Sequence, residues 1–195
     1  MRLFLIFVFI AVAVAALGVK PCLAKEGGSK FFQGIEILSG WGQALLKAQQ
    51  DYHFIPLIVN FDFNLKELNQ DLKSRFDRLL EFQIEPIFSL VLQPNQNVEA
   101  GNSFALKVGV LPETYEFQPY LKAGIGGIYT TQHIPEQATQ LNFCEYLGLG
   151  FHYFFEKDTA LTFEIRYRHI SNADIKKPNK GISGYISLFG ITRKF

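Results

Sequence analysis

Cysteine is nearly absent from this chain: of 195 residues, only Cys22 and Cys144 carry a thiol. Met1-Arg2, the uncharged apolar run over residues 3–19 and the sequence Cys22-Leu23-Ala24 have the form of a secretory signal peptide. They predict removal of residues 1–24 and a mature chain over 25–195. An uncleaved helical anchor is the alternative, disfavoured because the run is barely long enough to span a bilayer. Lipidation of Cys22 is disfavoured by its approach, Val19-Lys20-Pro21. Cleavage leaves Cys144 alone, which excludes an intramolecular disulfide and a thiolate metal site. Cys144 is expected to be a packed strand residue.

An excess of either charge is missing as well. Nineteen basic residues face eighteen acidic ones, and losing Arg2 and Lys20 leaves seventeen against eighteen. Such a balance offers no electrostatic basis for a nucleic-acid partner. Histidines number four, and neither His53 nor His133 has a companion at metal-ligand spacing, so no metal site is expected. Glycines 124, 126 and 127 lack the following Lys-Ser/Thr pair and helix of a phosphate loop, so no nucleotide or other cofactor is expected. Beyond the signal no apolar run is long enough for a transmembrane helix. Aromatic residues are plentiful instead, with 20 Phe and 8 Tyr in a chain that is 48% hydrophobic.

That composition is organised with a period of two. Alternating segments separated by turn chemistry predict strands at about 31–43, 52–64, 79–92, 102–111, 117–131, 140–155, 159–171 and 184–195. Eight antiparallel strands close the smallest outer-membrane barrel, an all-β fold. Pro112-Glu113-Thr114-Tyr115 and Glu156-Lys157-Asp158 form short turns, while 93–101, 132–139 and 172–183 form longer loops. With both termini in the periplasm, the longer loops fall outside. Leu65, Leu68, Leu72, Phe76 and Leu79 recur at helical spacing, so the segment between the second and third strands forms either a short amphipathic helix or a solvated linker. Phe195, Ile191 and Phe189 share a parity, and the terminal aromatic resembles the signal read by the outer-membrane assembly machinery, an expected partner.

The seventh segment carries the chemistry. Leu161, Phe163, Ile165 and Tyr167 lie on one face, and His169 and Ser171 continue it. Thr162, Glu164, Arg166 and Arg168 lie on the other, where a polar interior would form a salt-bridged network joined by His152. Eight strands leave no transport pore, because side chains fill so narrow an interior. His169 and Ser171 would then stand on the lipid face. Two residues apart on one face, an imidazole can reach a serine hydroxyl and activate it as a nucleophile.

Tyr167-Arg168-His169-Ile170-Ser171-Asn172-Ala173 and Pro178-Asn179-Lys180-Gly181 resemble the outer-membrane lipid A 3-O-deacylases of the PagL type. Weaker echoes occur at Glu85-Pro86, Gln118-Pro119-Tyr120, Gly124-Ile125-Gly126 and Leu141-Asn142-Phe143. The resemblance implies an eight-stranded barrel in the Gram-negative outer membrane, with its active site on the outer wall. It implies hydrolysis of the ester-linked 3-hydroxyacyl chain of lipid A, the lipid of lipopolysaccharide. By the same resemblance His169 is the general base, Ser171 the nucleophile and Asn172 a contributor to the oxyanion site.

The sequence departs from the family in two places. The family's acid falls at Ser183, and Asp174 stands where glycine is frequent. A serine cannot charge-stabilise an imidazolium as a carboxylate does. Three outcomes stay open: a substitute carboxylate, a slow dyad, or a catalytically silent barrel with a structural or lipid-interaction role. Pairing Phe155 with Thr159 makes paired indices sum to 314, which sets Glu145 opposite His169 and makes it the candidate substitute acid.

Overall fold

The structure, a computed structural model, describes residues 31–46, 51–134 and 136–195. The expected signal peptide lies outside these residues. Eight strands follow in order: β1 (Phe32–Leu45), β2 (Asp51–Asn64), β3 (Arg78–Gln93), β4 (Asn97–Pro112), β5 (Phe117–Thr130), β6 (Leu141–Glu156), β7 (Thr159–Ser171) and β8 (Ile182–Lys194). Each pairs antiparallel with the next, and β1 pairs with β8, so the expected eight-stranded barrel is closed. Closure leaves no strand edge unpaired.

The alternation in sequence becomes a two-sided wall. In β7 the even-numbered residues 160–170 are buried and the odd-numbered ones reach the outside. Leu121, Ile125, Leu147 and Phe189 belong to an outward apolar belt, with Leu147 68% exposed. This is the surface that a barrel presents to lipid. Interior room comes partly from glycine: a Cβ on Gly124 would collide with the ring of Tyr146.

Inside, the charges pair. Arg166 bonds both oxygens of Glu85 at 3.1 Å and also bonds Glu164. Lys122 and the Tyr146 hydroxyl donate to Glu85, and Tyr120 donates to Glu164 at 2.8 Å. Arg168 holds Glu99 at 2.9 Å. His152 joins as expected, with Nε2 3.2 Å from Lys107 Nζ and Nδ1 2.8 Å from Thr162 Oγ1. The carboxylates of Glu36, Asp62 and Glu81 also converge, and Lys107 and Lys194 pair with them. Removing one member of such a buried pair strands an uncompensated charge, at a cost of about 3–5 kcal/mol. Glu85→Ala should therefore lower the urea midpoint of the folded barrel sharply. An unchanged midpoint would mean that water, not Glu85, satisfies Arg166 and Lys122.

The interior is not polar throughout. Leu46, Phe54, Val91, Ile128, Cys144, Ile170 and Ile182 pack with other apolar residues in one buried cluster. The cluster extends to the end of the barrel opposite Phe31 and Phe195, here called the distal rim. Cys144 is buried there as a packed strand residue.

Two local expectations change. The loop predicted at 93–101 shrinks to 94–96, because β4 begins at Asn97. Glu99, polar and two residues before Gly101, reads as loop in sequence but is an inward strand residue that accepts hydrogen bonds from Tyr52 and Arg168. The helical spacing after β2 produces a 3-10 turn (Leu65–Leu68) and a short helix α1 (Gln70–Arg75), divided at Asn69.

Candidate active site

His169 sits near the distal end of β7, half-buried on the outer wall. Its register neighbours are Glu145 on β6 and Ser183 on β8. The predicted sum of 314 holds from Phe143↔Ser171 to Phe154↔Ala160. At the turn, Thr159 pairs with Glu156 rather than Phe155, and a register shift absorbs the extra residue. Glu145 thus faces His169 as expected, exposed to the outside. The hydrogen bond of the imidazole nevertheless lies on the other side, between Nδ1 and Ser183 Oγ at 2.7 Å. A hydroxyl can accept from Nδ1–H, which leaves the Nε2 lone pair free to act as a base.

Ser171 shares the outward parity of His169, is half-buried, and commits its hydroxyl to no hydrogen bond among the described residues. Asn172 turns the other way and is buried. Its Nδ2 donates to the carbonyl of Lys176 at 2.7 Å, and its backbone N–H donates to Asn179 Oδ1 at 3.0 Å. Both nitrogens of Asn172 therefore help to shape the loop that follows. Ala173 and Asp174 come next in the left-handed region, at φ 51° and 61°. Aspartate tolerates that conformation better than most residues, so Asp174 can adopt the turn without being glycine. Asn179 Nδ2 also donates to Asp174 Oδ1 at 3.2 Å.

Gly181 supplies a contact that sequence reasoning missed, although it closes Pro178-Asn179-Lys180-Gly181. Its φ is 69°, and a Cβ there would lie 2.5 Å from His169 Cε1 and 3.1 Å from Nε2. Only glycine meets both constraints: the backbone is left-handed and the imidazole lies against it. Gly181→Ala must push the ring aside, and a displacement near 1 Å can cost about 100-fold in rate. The expected result is a folded barrel with turnover reduced to that extent. Full activity would show that the ring is not held by this contact.

The interior carboxylates of Glu36, Asp62 and Glu81 lie within 4.8 Å of one another. A search from histidine spacing could not find them. The paired lysines already supply their counter-charge.

A closed eight-stranded barrel with a polar lumen and an apolar outer belt defines the chain as a barrel of the outer-membrane type. It belongs to the lipid A 3-O-deacylase (PagL) family, whose model matches residues 57–192, including His169 through Ser183. The crystal structure of the outer membrane enzyme PagL is similar with a TM-score of 0.53 and 15% identity, over 82% of this chain and 97% of that one. The crystal structure of Neisserial surface protein A (NspA) is similar with a TM-score of 0.60 and 13% identity, over 84% of this chain and 97% of that one. At such identities the likeness is one of fold alone. No curated protein matches the chain.

Proposed function

We infer that the chain is a serine esterase that removes the 3-O-linked 3-hydroxyacyl chain from lipid A. The observation that carries this is the hydrogen bond between His169 Nδ1 and Ser183 on an outward wall, with the uncommitted Ser171 two residues along the same face. Ser171 Oγ attacks the ester carbonyl while His169 Nε2 takes its proton. The carbonyl oxygen becomes an oxyanion, for which the backbone N–H groups of Ala173 and Asp174, uncommitted among the described residues, are candidate donors, with Asn172 holding the loop that presents them. Collapse expels the sugar oxygen, which takes the proton from His169, and leaves an acyl group on Ser171. Water then attacks with His169 again as base, releasing the 3-hydroxy acid and restoring the serine.

The barrel is read as integral to the Gram-negative outer membrane, inserted by the assembly machinery with its distal rim outward. His169 and Ser171 then lie at the leaflet that contains lipopolysaccharide. Ser183 engages Nδ1 but carries no charge, so the imidazolium is less stabilised than beside a carboxylate. That neutral partner also favours the second possibility, a catalytically silent barrel that binds lipid without cleaving it. Hydrolysis in ¹⁸O-water distinguishes them. The esterase places one labelled oxygen in the released 3-hydroxy acid, whereas the silent barrel releases no acid.

A further inference from the structure

The loop between β7 and β8 carries Lys176, Lys177 and Lys180, and all three side chains are exposed. None forms an ion pair among the described residues. Over residues 173–180, three lysines against Asp174 leave a local charge of 3 − 1 = +2. Among the described residues near the distal rim, every exposed lysine or arginine falls in this one loop. Arg166 and Arg168, on β7, are buried and paired with interior carboxylates.

This loop has a definite shape and position. Asn172 and Asn179 tie it from within. The preceding β5–β6 loop ties it from outside: Ala138 N–H donates to the Pro178 carbonyl, and Lys180 N–H to the Glu136 carbonyl, both at 2.9 Å. Its first residue adjoins Ser171, and its last, Gly181, lies against the imidazole of His169. Three ammonium groups are thus held on a braced frame whose two ends both touch the candidate site.

A cluster of unpaired cations next to an ester-cleaving pair, at the level of lipid headgroups, fits a phosphate on the substrate. We propose that Lys176, Lys177 and Lys180 form a phosphate-binding arm that captures the phosphorylated sugar headgroup and holds its ester over Ser171. This rests on the esterase reading for the identity of the lipid, but the arm's binding is separable from cleavage. Each lysine close to an anionic headgroup strengthens binding about fivefold, so losing three should weaken it by between about tenfold and 100-fold.

The test is lipid A binding by the full mature barrel in neutral detergent, in a Ser171→Ala background so that no turnover intervenes. The triple substitution Lys176→Gln, Lys177→Gln and Lys180→Gln should weaken binding of phosphorylated lipid A at least about tenfold and leave phosphatase-treated lipid A unaffected. Lys157→Gln, at the opposite rim, should change neither. Inorganic phosphate at the lipid's concentration should not compete. Equal binding by the triple variant, or loss of both lipids alike, would overturn the arm. Equal lysine-dependent capture of phosphatidylglycerol would also overturn it, reducing the loop to a general anionic tether; displacement by inorganic phosphate would make it a site for the free anion. If binding behaves as expected and the wild-type chain releases no acid, the esterase reading fails and the arm stands.

Discussion

Ser171→Ala is expected to reduce deacylation to background while the barrel folds normally. The hydroxyl makes no structural hydrogen bond among the described residues and sits half-buried on the outer wall, so its loss should cost little stability. Members of a nucleophile–base unit fail together: losing either one in a serine hydrolase can cost about 10⁶-fold in turnover. His169→Ala should therefore match Ser171→Ala, and the double variant should be no worse than either. Heat-modifiable migration of each variant, as for the parent, would show that folding is intact. Undiminished turnover in Ser171→Ala would assign the nucleophile elsewhere.

The second large effect is a gain. Loss of the orienting acid of a serine triad can cost about 10⁴-fold, and Ser183 occupies that position here without a charge. Its oxygen lies 2.7 Å from His169 Nδ1, so the β8 backbone already brings this position to the imidazole. Ser183→Glu should place a carboxylate beside Nδ1 and raise turnover by a large part of that factor. Ser183→Ala should lower it, because Nδ1 loses the hydrogen-bond partner that orients the ring. Glu145→Gln separates this from a relocated acid. Register places Glu145 opposite His169, but the imidazole bonds Ser183 instead. Indifference to Glu145→Gln together with a gain from Ser183→Glu means a vacant acid position. A loss from the first and no gain from the second means that Glu145 serves across the strands.

Period-two alternation made much of this architecture legible. It placed all eight strands, the outward parity of His169 and Ser171, and the Glu145–His169 pairing, because a barrel wall punishes any one-residue slip by exchanging its faces. What it could not show depends on what an inward residue meets across the lumen. Glu99 reads as loop until Arg168 and Tyr52 are seen to claim it. The apolar packing around Ile170 and Ile182 is invisible to a rule that makes the interior polar. The helical spacing of Leu65, Leu68 and Leu72 was real, but Asn69 divides the segment into two short turns.

The candidate site was legible in its motif and not in its contacts. His169, Ser171 and the position of Ser183 follow from residue order. That Ser183 bonds the imidazole, that both nitrogens of Asn172 bond within the loop, and that Gly181 leaves room for the ring all depend on how residues 172–181 fold back onto β7. Local sequence cannot specify such a return, because hydrogen bonds to the β5–β6 loop brace it from outside.

The most direct test of the esterase is a mass spectrum of lipid A from Gram-negative cells producing this chain, set beside cells producing Ser171→Ala at equal outer-membrane abundance. Lipid A short of one 3-hydroxyacyl unit in the first and complete in the second is the predicted result. Complete lipid A in both, with both barrels folded, would contradict it.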